Sequence, residues 1–140
     1  MKAFVKEFIY RNKTLLLSVA LTVPVVVFDL IFDFIKLSKN TMGVLLGVGG
    51  GLAGFMLTGL ALFFALPYSD NMKKRINDTR YNIIVPRALW FGIIIFILSL
   101  FLFILFPKLP KVNGYLFIAG LFQTVLAARS LYIMCLKCKV

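Results

Sequence analysis

Residues able to carry acid–base, nucleophilic or metal chemistry are few in this 140-residue chain. It has no histidine, one glutamate (Glu7), four aspartates (Asp29, Asp33, Asp70, Asp78) and two cysteines. Aspartyl catalysis needs two carboxylates converging on one bond. Asp29 and Asp33 stand one helical turn apart on a single segment, with no second acidic motif to oppose them. The pair in Cys135-Leu-Lys-Cys138 lacks the second cysteine pair that a thiol oxidoreductase uses, and a metal site needs more ligands. Cysteines beside a membrane span are usually inert or acylated, and two cysteines make no disulfide framework. The residue inventory therefore points away from an enzyme, a cofactor and a metal.

The elements around these residues are governed by their solvent. Apolar types make up 61% of the chain and charged types 15%, with a mean hydropathy of +0.98. A soluble domain has roughly a quarter of its residues charged, so a water-soluble globule of this composition lacks the polar surface to cover itself. The net charge of +11 does not indicate nucleic acid, which requires a basic face on a soluble fold. Here lysine and arginine gather at the ends of apolar runs, where they meet anionic headgroups and set topology.

A membrane-crossing helix needs about 20 mostly apolar residues. Four segments qualify: 14–35, 42–67, 88–106 and 115–136. The first outlasts a secretory h-region of about 7–15 residues and reads as an uncleaved span. Backbone polar groups in lipid must be satisfied within the segment, so the fold class is all-α. Short first and third connections predict sequential antiparallel neighbours, an up-down-up-down four-helix membrane bundle over 14–140. Eleven basic residues lie in the N-terminal segment, the middle connection and the C-terminal end, against Lys36, Lys39, Lys108 and Lys111 in the other two loops. The positive-inside rule then puts both termini in the cytoplasm. Tyr10, Tyr68, Tyr81, Trp90 and Tyr115 fall near span ends, where aromatic belts form.

Ionisable groups at membrane depth mark function by default. Counting 1.5 Å per residue from level inner ends places Asp29 about 22 Å up, Gln123 about 20 Å, Ser99 about 17 Å and Arg129 about 10 Å. Asp29, Ser99 and Gln123 are then expected in one polar layer facing the glycine-rich helix, with Arg129, Thr58 and Thr22 in a lower one. Asp29 serves either a functional site or helix–helix bonding. Asp33 can pair with Lys36 at helical spacing, and Arg129 can snorkel to the inner headgroups.

Span two carries Gly43, Gly47, Gly49, Gly50, Gly51, Gly54 and Gly59. Gly43, Gly47 and Gly51 share a face at four-residue spacing, and Gly50 with Gly54 repeats it. In lipid, helix association relies on the close backbone approach that glycine permits. The stripe reads as a subunit interface or pore lining, or as tight packing inside one bundle. Seven glycines exceed the needs of one crossing, which favours a homo-oligomer. Residues 1–13 place Phe4, Val5, Phe8 and Ile9 on one face, as in an interfacial amphipathic helix, or form only a basic lead-in. Pro24 kinks span one. In the middle connection Ser69-Asp70-Asn71 offers a helix cap. Lys73, Lys74, Arg75 and Arg80 there either bind anionic lipid or an acidic cytoplasmic protein, or only set topology.

The layout resembles the small four-helix membrane proteins of bacterial anti-phage systems, RexB and the Kiwa membrane subunit among them. The likeness lies in a small-residue second span, Gly54-Phe55-Met56-Leu57-Thr58 and its apolar continuation, followed by a basic loop. It implies an oligomeric ion-permeable pore, or a membrane sensor coupled to a cytoplasmic partner. Three functions follow: a homo-oligomeric pore or membrane effector, a partner-binding sensor or immunity protein, and a thiol or lipid enzyme.

Overall fold

The computed structural model describes residues 2–33, 35, 39–65, 68–106 and 109–138. These form six helices and no strand: α1 (Lys2–Arg11), α2 (Lys13–Phe32), α3 (Lys39–Ala65), α4 (Asp70–Asp78), α5 (Tyr81–Leu105) and α6 (Pro110–Cys138). Four of them, α2, α3, α5 and α6, are long and apolar enough to cross a membrane.

Local chemistry sets the ends. Asn12 interrupts α1 and α2, its side-chain amide donating to the Phe8 carbonyl at 3.1 Å. Asp33 stops α2 in a left-handed conformation, φ 49°, which aspartate tolerates better than most residues. The Ser69 hydroxyl caps α4 by accepting from the Met72 N–H at 3.3 Å, as the sequence suggests. Arg80, at φ 57°, turns the chain sharply into α5. That helix runs through Pro86 and starts seven residues before the expected boundary at 88. Pro110 opens α6 five residues before 115, the first-turn position that suits its missing N–H. Arg87 and Lys111, taken from sequence as loop charges, are therefore helical.

The centre is the antiparallel pair α5 and α6, in which Phe96 packs on Phe117 with ring centroids 5.9 Å apart. A third of the most apolar stretch of each is buried, against 11% for α2 and α3. Against α5 lies α3, with Gly49 at Phe96 and Gly59 at Leu89. Met56, Val85, Leu89, Ile93 and Phe96 form the middle of the core. On the other side α2 packs on α6, and α2 and α3 do not touch among the described residues. This corrects the expectation that sequential spans are neighbours. A six-residue step from Asp33 to Lys39 can bridge about 20 Å, so the connection does not force contact, and the polar partners of α2 lie on α6.

Burial on α2 is inverted relative to a soluble protein. Its four buried residues are Thr14, Ser18, Thr22 and Asp29, while Val19, Val23, Val27, Leu30 and Ile31 are exposed. Phe55 and Phe64 on α3 and Phe101 and Ile104 on α5 are likewise exposed. A continuous apolar exterior of this extent is incompatible with water. Lipid, where small and polar residues join helices, accounts for the inversion.

Candidate functional site

At the end of the bundle where α2 stops, four charged or phenolic side chains interlock. Asp29 is fully buried. Its Oδ2 accepts from the Tyr115 hydroxyl at 2.6 Å, and its Oδ1 accepts from the Ile35 N–H at 2.6 Å. The Lys111 Nζ stands 3.8 Å from Asp29 Oδ2 and pairs with Asp33. One ammonium thus serves two carboxylates from α2, and the cluster ties the end of α2 to the start of α6. Sequence reasoning placed Tyr115 in an aromatic belt and Lys111 in a loop, and linked Asp33 to Lys36, which lies outside the described residues.

The expected polar layer does not assemble. Asp29 goes to Tyr115, while Ser99 donates to Asn113. Gln123 donates to the Ala88 carbonyl at 2.8 Å and to the Thr14 hydroxyl at 3.4 Å. The reason is axial displacement: Gln123 lies level with Thr14, at the start of α2, and with Ala88, about two turns into α5. About 20 Å of α6 therefore extends beyond the level of Thr14. In that extension Met134 joins the core cluster that holds Ile76 of α4 and Tyr81 of α5. Arg129 shares a groove with Lys13 and Thr14, and does not meet Thr22 or Thr58. Thr22 bonds the Ser18 carbonyl, and exposed Thr58 bonds the Gly54 carbonyl.

The glycines divide into two sets. A Cβ added at Gly43, Gly47, Gly50, Gly51 or Gly54 would meet nothing within 4 Å. None of these five therefore packs tightly against another helix among the described residues. Thr58, Ala61 and Ala65 extend this exposed small-residue face along α3. Close packing instead uses Gly49, Gly92 and Gly120. A Cβ at Gly49 would lie 3.2 Å from the Phe96 ring, and one at Gly120 would lie 2.6 Å from it. Gly92 receives the Met56 side chain. Spacing within one helix cannot reveal these, because the bulky partner sits on another helix.

At the opposite end from the carboxylate cluster, Lys73, Lys74 and Arg75 stay exposed on α4, with Lys73 3.6 Å from Asp70. Arg80 is committed elsewhere: it pairs with Glu7 at 2.5 Å and stands 5.9 Å from the Tyr10 ring centroid. It fastens α1 to α5, which sets it apart from the free basic patch expected from sequence. On α1, Val5, Phe8 and Ile9 are exposed; the Phe4 side chain lies outside the described residues. Cys135 is exposed, and the Cys138 side chain is also outside them. No group of three or more His, Cys, Asp or Glu able to hold a metal occurs among the described residues. Compared with protein-family models, curated proteins and solved structures, the chain has no match.

Proposed function

We propose that this chain is a multi-pass protein of a bacterial cytoplasmic membrane that assembles with copies of itself through α3 and acts without catalysis as an oligomeric pore or membrane effector. In this reading α2, α3, α5 and α6 form an up-down-up-down bundle with both termini cytoplasmic, and α1 lies in the interface. The observation that carries it is the open small-residue face of α3, from Gly43 to Gly54 and on to Thr58. Lipid tails gain little from glycine, whereas a second helix gains close backbone contact.

Inside one chain, Asp29, Ser99 and Gln123 are bonded to separate partners, so an ion path belongs between chains, along α3. The orientation is supported by Lys111, whose charge is matched by Asp33 and Asp29, which sharpens the contrast with the basic opposite end. The resemblance to anti-phage membrane proteins supplies a setting, antiviral defence by membrane depolarisation. Expression is expected to collapse membrane potential, read with a voltage-sensitive dye, and Gly51→Leu is expected to abolish the collapse. A wild-type chain that leaves the potential intact removes the pore reading.

A second reading, a sensor or immunity protein bound to an acidic cytoplasmic partner, is favoured by the exposure of Lys73, Lys74 and Arg75 on α4. It expects no leak, and a co-purifying protein lost when all three are changed to Gln.

A further inference from the structure

Where α2 begins, a groove of about 360 Å³ opens between α2 and α6. Two cations line it, Lys13 and Arg129, together with the hydroxyl residues Thr14 and Ser130 and the apolar Leu17 and Ile133. No carboxylate is among the lining residues. None occurs anywhere in α6, and the one acidic residue within α2, Asp29, is about 24 Å away along the helix. Glu7, on the neighbouring α1, is already paired with Arg80. Among the described residues Arg129 has no ion pair or side-chain hydrogen bond, and Lys13 only faces the Tyr10 ring, 5.2 Å from its centroid.

Two exposed cations without a counter-ion, at the end of an apolar span, form a site that attracts an anion. We propose that the groove binds the phosphate of an anionic phospholipid, with Arg129 and Lys13 on the phosphate oxygens and an acyl chain along Leu17 and Ile133. A guanidinium fork suits phosphate oxygens, and basic pockets between membrane helices recognise anionic headgroups by this chemistry. The apolar wall favours a lipid over free phosphate, because a soluble anion would leave Leu17 and Ile133 uncovered.

The inference rests on the bilayer-spanning reading but not on self-association. Lipid selectivity is measured on the purified full-length protein whatever its stoichiometry, so either idea can fail alone. Native mass spectrometry of detergent-purified protein would be titrated with phosphatidylglycerol and with phosphatidylcholine of the same acyl chains. The expected result is one tightly held phosphatidylglycerol per chain, at least tenfold preferred over phosphatidylcholine. The preference falls at least tenfold in Lys13→Gln/Arg129→Gln. It is retained in Lys73→Gln/Lys74→Gln and, mostly, in Arg129→Lys. Equal retention of the two lipids, loss of the preference in the α4 variant, or survival of the preference in the groove double variant overturns the proposal. Displacement of the lipid by millimolar inorganic phosphate would also overturn it by assigning the groove to a soluble anion.

Discussion

Tyr115 and Lys111 reach Asp29 because side chains on a helix lean toward its N-terminus. The two helices run in opposite directions, so the carboxylate leans toward the start of α2 while the phenol and ammonium lean the other way, and the groups converge. A buried carboxylate is tolerable only when its oxygens are occupied, and here both accept hydrogen bonds. Removing the phenol hydroxyl takes one hydrogen bond from a buried carboxyl oxygen, so Tyr115→Phe should lower the unfolding midpoint, measured by denaturant unfolding in micelles. Glu7→Gln, which loosens an exposed pair with Arg80, should cost at most about 1 kcal/mol. From sequence, Asp29 is recognisable as a buried polar residue, but its partners are not. Tyr115 has the features of a belt aromatic, and Asn113, the acceptor for Ser99, sits among residues that read as loop.

Among the elements, hydropathy exposes all four long helices because length and apolarity are properties of each segment alone. Their axial offset and rotation depend on pairs of segments. Assuming level inner ends set Gln123 too high relative to α2, because α5 begins seven residues before its apolar run suggests and α6 runs on past the start of α2. A clue was present in Thr14, Ser18 and Thr22 at four-residue spacing, a polar stripe leading toward Asp29 that marks the face of α2 turned to α6. Ser18 is fully buried, so Ser18→Leu should cost about 1–3 kcal/mol by overpacking, while Val19→Leu on the outer face should be neutral in the same assay. The glycines give a matching contrast. Gly120→Leu drives a side chain into the Phe96 ring and should destabilise the monomer at least as much. Gly51→Leu meets open space and should leave the monomer folded, with no loss in unfolding midpoint.

At the scale of the molecule, the chain turns the polar residues of α2 inward and large apolar side chains outward, and leaves the small-residue face of α3 without a partner among the described residues. The first two features suit any membrane bundle; the third is what the proposed assembly requires. It is tested most directly by cysteine crosslinking in native membranes, in a Cys135→Ser/Cys138→Ser background. Cysteines replace Gly54 or Ala61 on the open face of α3, or Val23 on the outer face of α2. A disulfide forms only where Cα atoms approach to about 4.4–6.8 Å. Self-association through α3 predicts covalent dimers from Gly54→Cys and Ala61→Cys and monomer from Val23→Cys. Monomer at all three positions, or equal crosslinking from Val23→Cys, would contradict it.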